Sequence, residues 1–391
     1  MRVGTPGFIP ERLKEAREAR GFSVTQLAEL LSISKQSISS YERGDSTPSP
    51  EVINVLSTRL NFPKMFFLSS PERYDLNPVF YRSIASATKT SRDMAKWKLR
   101  WFKDIIHYLK QYIVLPAHQL PNFSDLDIAS LSDAEIEGIA VETRKAWGIG
   151  LGAISNPTLL LESKGIFIAR GLFSTSSMDA LSEWDQKLDI PMILLSSDKG
   201  NPFRSRFDLC HELGHLILHR NVSQEFINSP AHFKLIEHQA HRFSSAFLLP
   251  EESFARDIRR FSVDSFLDLK GKWRVSAKAM IKRCSDLGMV SEEQEKQLFV
   301  SYSKRGYNSK GEPGDFSESL EMPRFAKRCF EGLAERGIQT PDDILANLNV
   351  PKEHICELAN LTDSFFKSKE QLNLEFIMND FPSNVVPLRR G

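Results

Sequence analysis

Residues 207–219 read Phe-Asp-Leu-Cys-His-Glu-Leu-Gly-His-Leu-Ile-Leu-His and contain the pattern His-Glu-x-x-His at positions 211–215. On a helix, residues i and i+4 lie one turn apart on the same face, so the imidazoles of His211 and His215 can reach a single metal ion. Glu212 lies beside them and can accept a proton from a water molecule that the metal makes acidic. The pattern therefore predicts a zinc site on a helix, with Glu212 as the catalytic base.

Apolar residues surround this motif and predict that its helix is buried. Burying two imidazoles without a partner costs free energy, so a metal site is favoured over a pair of surface histidines. Gly214 costs about 1 kcal/mol relative to alanine inside a helix, which predicts that something, such as a strand or a substrate, passes close to it. Cys210 points about 100° away from His211 around the helix, so we expect it to pack in the core rather than bind metal.

A third metal ligand is needed, and the candidates are Glu237, His238, His241 and His219. His219 lies about 12 Å along the helix axis from His211, too far to share an ion whose bonds to nitrogen are about 2 Å long, and we predict a surface or C-terminal-turn histidine. His238 is turned about 100° away from Glu237 around its own helix. Glu237 and His241 share the face beside the buried stripe, so either could bind. A carboxylate would help to neutralise the ion.

The motif helix and the segment after it resemble a known family. His-Glu-Leu-Gly-His, followed at residues 237–250 by Glu-His-Gln-Ala-His-Arg-Phe-Ser-Ser-Ala-Phe-Leu-Leu-Pro, is similar to the ImmA/IrrE family of zinc metallopeptidases. The resemblance covers roughly residues 135–300 and implies a zincin-like domain with a small sheet beside the motif helix. Short apolar runs at residues 165–169 and 191–195 are typical of the strands of such a sheet.

The resemblance also implies roles for the site residues. It places Zn²⁺ on His211, His215 and Glu237 and the catalytic role on Glu212. His241, one turn after Glu237, is then expected to hydrogen-bond this ligand or a substrate. The substrates implied are repressor-like regulatory proteins, cleaved in response to stress or a mobile-element signal.

A second motif lies near the start of the chain, where residues 12–43 predict three short helices. Ser23 is expected to cap the second helix and Ser34 the third, with a tight turn at Ser32 between them. This geometry presents the start of the third helix to the major groove of DNA. The candidate DNA contacts are Lys35, Gln36, Ser37 and Ser40; glutamine suits an adenine edge and lysine suits phosphate or guanine.

This module resembles the Xre-type helix-turn-helix of phage repressors over residues 11–68. The resemblance implies binding to double-stranded DNA, and such modules commonly form homodimers on two-fold sites. Val24 stands where these repressors usually carry a glutamine, and Ser40 where a basic residue is common, so the expected affinity is reduced. The alternative is a protein-interaction module built on the same scaffold.

A basic segment follows the first module. Residues 82–110 contain eight Lys/Arg and two Asp, with Trp97, Trp101 and Tyr108 at helical spacing. An apolar stripe with a basic flank predicts a solvated linker helix that docks by its aromatic face, and a contact to DNA phosphates is the alternative.

The remaining boundaries rest on composition. Residues 302–314 are rich in Gly and polar residues and form the best linker candidate. Residues 323–361 are predicted to be helical. Their role could be that of a sensor, an oligomerisation element or a cleavable segment. The last dozen residues are predicted to be frayed. Helices at 266–287 are expected to close the peptidase core, and a second helix-turn-helix around the turn at Val275 and Ser276 is the alternative. The domains predicted are 1–70 (helix-turn-helix), 71–134 (linker), 135–303 (metallopeptidase) and 316–391 (helical C-terminal domain).

Composition excludes several classes of protein. The 51 Lys+Arg and 50 Asp+Glu leave a net charge of +1, so binding to nucleic acid must come from a local patch. The four cysteines form no CxxC pair, which argues against a disulfide scaffold. No signal peptide or membrane span is expected, which favours the cytoplasm.

Together these patterns predict a mainly α fold with a small β-sheet (α+β), made of a helix-turn-helix domain, a central metallopeptidase domain and a helical C-terminal region. The function predicted is a DNA-binding zinc metalloendopeptidase. The alternative is a helix-turn-helix regulator whose zinc domain senses or stabilises and cleaves little.

Overall fold

The computed structural model describes residues 4–70, 80–81, 88–123, 126–175 and 178–367. Within them the chain is mostly helical with one small sheet, so the predicted α+β class is confirmed. The predicted fraying of the last dozen residues lies outside the described part of the chain. No helix of that part is long and apolar enough to cross a membrane.

The N-terminal region is a group of four helices and a 3-10 turn at Lys64–Leu68. Ser23 and Ser34 cap the second and third helices as predicted, each accepting a hydrogen bond from a backbone N–H three residues later. Ser32 takes the left-handed conformation, with φ of 53°, at the turn between these helices. The helices are α1 (Pro10–Ala19), α2 (Val24–Leu31), α3 (Lys35–Arg43) and α4 (Pro50–Leu60).

A short strand β1 (Phe80–Tyr81) and the long helix α5 (Lys89–Leu109) follow. The helix docks by its aromatic face as predicted, since Trp101 and Tyr108 are buried. Its basic flank is not fully solvated, because Lys98 and Lys103 are only 4% and 3% exposed. Lys98 Nζ lies 2.7 Å from the carboxylate of Glu357, and Lys103 Nζ lies 2.8 Å from that of Glu183. These two lysines are therefore held in internal ion pairs and do not face DNA phosphates.

The central region surrounds a mixed sheet in the strand order β1-β3-β4-β2. Strands β2 and β4 are parallel, with Ile168 opposite Ile193, while β3 is antiparallel to both β1 and β4. The three longer strands confirm the predicted small sheet, and the edge strand β1 was not expected. The elements here are α6 (Asp133–Ala146), α7 (Pro157–Ser163), β2 (Phe167–Gly171), β3 (Ala180–Asp185), β4 (Ile190–Ser196), α8 (Pro202–Leu218), α9 (Gln224–Asn228), α10 (Pro230–Leu248), α11 (Glu251–Asp257), α12 (Val263–Trp273), α13 (Ala277–Asp286) and α14 (Glu292–Lys304).

The segment at residues 302–314, the best linker candidate in the sequence, packs on the central region. Glu312 and Asp315 are 5% and 4% exposed, and both pair with Lys270 of α12. Glu312 also accepts hydrogen bonds from the backbone N–H of Ala277 and the hydroxyl of Tyr302. After α15 (Tyr307–Lys310), the chain therefore docks on the central region before it enters α16 (Phe325–Glu335), α17 (Pro341–Leu348), α18 (Lys352–Ala359) and a 3-10 turn at Asp363–Phe366.

Two hydrophobic cores lie on opposite faces of the sheet, because successive strand residues point to opposite sides. Phe167 belongs to one core together with α1, α5 and α18, and Ile168 belongs to the other with α6, α8 and α10. The second core also includes Val275, so the helix pair α12–α13 closes it as predicted. The domain boundaries drawn from sequence stay predictions, since the first core joins the N-terminal, central and C-terminal regions.

Candidate metal centre and nucleic-acid interface

Two helices, α8 and α10, position the candidate metal ligands. They touch at Gly214, where a Cβ atom would lie 3.2 Å from both Cα and the carbonyl oxygen of Ala240. Glycine allows this close approach, because a Cβ at these distances would require the neighbouring atoms to move by a few tenths of an ångström. The predicted close approach is present, and the neighbour is a helix rather than a strand or a substrate. This contact brings Glu237, on α10, against the motif helix.

The ligand atoms form a compact triangle. His211 Nε2 lies 3.1 Å from His215 Nε2, and the oxygens of Glu237 lie 3.4 and 3.2 Å from these two nitrogens. A tetrahedral zinc site with bonds of about 2.0–2.1 Å has edges of about 3.3–3.4 Å between ligand atoms. Two imidazoles and one carboxylate at these separations fit a zinc ion.

Electrostatics keep the carboxylate in its metal-binding form. Burial raises the pKa of Glu237, but hydrogen bonds from His211 and His215 outweigh burial and hold the pKa at about 2. Burial also raises the pKa of the Cys210 thiol to about 12, and this residue is fully buried. The thiol therefore stays protonated in the core, as predicted, and is not a ligand of thiolate type.

Glu212 is fully buried and contacts a residue that the sequence did not point to. The hydroxyl of Ser182 donates a hydrogen bond of 2.6 Å to Glu212 Oε2. Ser182 is also fully buried, at the third position of β3. A serine within a short strand carries no signal of this contact, which depends on how α8 packs against the sheet.

The other histidines considered as ligands occupy different places. His219 is fully buried, so a surface position is wrong. It lies directly after the last turn of α8, which is the other position predicted for it. It is not part of the ligand triangle. His238 is exposed and contacts Asp133 at 2.8 Å. The ring of His241 packs 4.8 Å from Phe207, centroid to centroid, and 6.5 Å from the ring of His211.

A cavity of about 560 Å³ is lined by Asp208 and His241, which lie three residues from His211 and four residues from Glu237 in the sequence, and by Lys278, Tyr302 and Tyr307. The candidate ligands themselves do not line it. A cleft of this size can accept a side chain and neighbouring backbone of a bound peptide.

The N-terminal helices present the predicted DNA-contacting residues at the surface. Lys35 and Gln36 are exposed at the start of α3. Ser37 and Ser40 are partly exposed, and their hydroxyls are hydrogen-bonded to Ser34 and Ser46 respectively. Lys35 and Gln36 are therefore more accessible to DNA than Ser37 and Ser40.

A bidentate ion pair holds this helix in place. Arg17 on α1 contacts both carboxylate oxygens of Glu42 on α3, at 2.6 and 3.0 Å. Such a pair fixes the orientation of α3 relative to α1, because both N–H···O bonds must be made together.

Comparison with known proteins finds a family match in each of the two regions. Residues 161–285 match the family model of the IrrE N-terminal-like domain, a peptidase family, and residues 13–65 match that of a helix-turn-helix. One similar protein is the HTH-type transcriptional regulator SutR of Escherichia coli strain K12, which is 35% identical over 65 residues. That similarity covers 17% of this chain and 36% of the relative.

Proposed function

We propose that this chain, which carries an IrrE N-terminal-like peptidase domain behind an N-terminal helix-turn-helix domain of Xre type, is a DNA-binding zinc endopeptidase that cleaves a repressor-like regulatory protein. The observation that carries this proposal is the ligand triangle of His211, His215 and Glu237, with Glu212 buried beside it. Cleavage would follow stress or a mobile-element signal.

The residues of the site suit peptide hydrolysis. Zinc held by the triangle would supply a Lewis acid that polarises the scissile carbonyl and increases the acidity of water. Glu212 would accept the proton of the attacking water on its carboxylate and pass it to the departing amine. Ser182 holds Glu212 Oε2 at 2.6 Å, so the carboxylate keeps one orientation through both transfers.

The helix-turn-helix would bring the peptidase to operator DNA, where repressors bind. Trp101 of α5 donates a hydrogen bond of 2.7 Å to Glu15 of α1, and Trp97 donates one of 3.0 Å to Glu18. Because α5 also packs on the sheet, the N-terminal helices and the metal centre lie against opposite faces of the same sheet and are joined through it. This continuity supports a role in which the position on DNA determines which proteins the site meets.

The proposal is tested by a search for new protein termini in cells. Cells that express the wild-type chain should contain termini that are missing from cells with Glu212→Gln, and these termini should lie in regulatory proteins. DNA-dependent regulation by both forms, with the same set of termini in both, would instead favour a regulator whose zinc domain is a sensor or a structural module.

A further inference from the structure

A cavity of about 710 Å³ lies where the C-terminal region meets the central region. Its lining comes from α16 and the residues beside it, from α7, and from the residues that follow α5. Neither the candidate metal ligands nor any other residue of α8 lines it, so the cavity is separate from the proposed peptidase site. Its apolar surface is formed by the side chains of Tyr112, Ile113, Leu159, Phe325, Leu333 and Ile338.

Three arginines line the same cavity. Arg324 and Arg336 flank the two ends of α16, and Arg328 lies within this helix. Arg336 donates a hydrogen bond of 3.1 Å to the carbonyl of Gly332, which places its guanidinium one helical turn after Arg328. Within the described part of the chain, none of the three side chains forms an ion pair with a carboxylate. Their guanidinium groups therefore keep donors for an anion.

Glu162 of α7 is the only carboxylate among the described residues that line the cavity. It accepts hydrogen bonds of 2.9 Å from the backbone N–H groups of Arg324 and Phe325, which holds the start of α16 against α7. The ring of Phe325 is fixed edge-on to Phe167 of β2, with 4.8 Å between the centroids. One carboxylate against three guanidinium groups leaves an excess of positive charge, and the walls are formed before any ligand arrives, which reduces the entropic cost of binding.

We propose that this cavity binds a small amphipathic anion, a molecule with an apolar body and one carboxylate or phosphate group. Sites for small molecules have this volume and this composition, mostly apolar with a few polar groups that fix the orientation of the ligand. The planar guanidinium group matches the geometry of both carboxylate and phosphate. The anionic group would pair with Arg328 and Arg336, and the apolar body would lie against side chains such as Leu333. The bound molecule would then contact the C-terminal and the central region at once.

Isothermal titration of the full chain with 2-naphthoate and 2-naphthyl phosphate tests the inference. The controls are 2-naphthol, which lacks the charge, and inorganic phosphate, which lacks the apolar body. We expect at least one naphthyl anion to bind at a single site per chain, and the tighter of the two identifies the anionic group. Each control should bind at least about 10-fold more weakly, because it makes only one of the two kinds of contact. Absence of binding by both naphthyl anions, or a control that binds as tightly, would overturn the inference.

Arg328→Gln assigns the binding to this cavity. Loss of the charge-assisted hydrogen bond should weaken binding of the naphthyl anion by about 10-fold. Lys327→Gln is the matched control, because it removes the same charge from the same helix at a residue that does not line the cavity, and its affinity should stay within about two-fold of wild type.

Arg328 is exposed, so its variant should fold, which circular dichroism will check. A folded Arg328→Gln chain with wild-type affinity would overturn the inference. A hexaglutamate peptide that binds this cavity more tightly than either naphthyl anion would also overturn it, because the occupant would then be an acidic protein segment.

Discussion

Replacing Gly214 by alanine tests how the contact between α8 and α10 builds the metal centre. In an open helix this change would add about 1 kcal/mol of stability, because glycine is the poorer helix former. Here the new Cβ would lie 3.2 Å from backbone atoms of Ala240 and from Cδ1 of Phe243. Overpacking of this kind costs about 1–3 kcal/mol, so we expect a net loss of about 0–2 kcal/mol.

The same clash should weaken zinc binding, because it pushes α10 away from α8. Glu237 lies on α10, three residues before Ala240, and its oxygens lie only 3.2 and 3.4 Å from the two histidine nitrogens. A shift of a few tenths of an ångström would open this triangle, and we expect zinc affinity to fall by about 10-fold.

Urea unfolding of the metal-free chain and zinc titration are the assays. Gly138→Ala is the matched control, since Gly138 lies in α6 and a Cβ there would meet no atom within 4 Å. That variant should be more stable than wild type by up to about 1 kcal/mol and bind zinc normally. If Gly214→Ala gains as much stability as the control and keeps its zinc affinity, the packing argument is refuted.

Five further variants probe the ligand set, the DNA interface and an acid-sensitive contact. Glu237→Ala should lower zinc affinity by orders of magnitude and His241→Ala by only about 10-fold to 100-fold, and titrations giving the reverse order would move the ligand to His241. Gln36→Ala should relax sequence preference in DNA binding, whereas Lys35→Ala should weaken all sequences alike and reduce the salt dependence; salt-independent binding that neither change alters would exclude this interface. Burial raises the pKa of Asp185, but hydrogen bonds from His107 and from the backbone of Leu188, together with the charge of Lys103, outweigh burial and hold the pKa at about 2. The stabilising contribution of Asp185 is therefore complete above about pH 4 and is lost as the pH falls toward 2. Asp185→Asn should flatten this part of the acid unfolding curve, and an unchanged curve would show that the ion pair contributes nothing.

The sequence predicted correctly those features that depend on residues within one helical turn of each other. The caps at Ser23 and Ser34 depend on backbone groups three residues away, and both are present. The pattern His-Glu-x-x-His fixed the relation of His211 to His215, because both lie on one helix. The position of Glu237 relative to these histidines depends on how α10 packs against α8, which helical spacing does not determine. The resemblance to a family was what selected Glu237 over His241.

The errors share a physical cause, which is pairing between residues far apart in the chain. Lys98 looked solvated because its partner Glu357 lies 259 residues later. His219 looked exposed because its partner Gln239 belongs to the next long helix, and helical spacing alone does not say which neighbour covers a helix end. The ordered segment at Glu312 is a third case, because its buried carboxylate accepts a hydrogen bond from the backbone N–H of Ala277 at the start of α13, 35 residues earlier in the chain.

The central claim is that Glu212 moves protons and does not hold the metal. The direct measurement is zinc content and cleavage of a repressor-like protein by purified Glu212→Gln, compared with wild type and with Glu335→Gln, an exposed glutamate of α16. We predict that Glu212→Gln binds zinc as wild type does and cleaves nothing, while Glu335→Gln cleaves at the wild-type rate. Loss of zinc from Glu212→Gln, or cleavage by it at the wild-type rate, would contradict the assigned role.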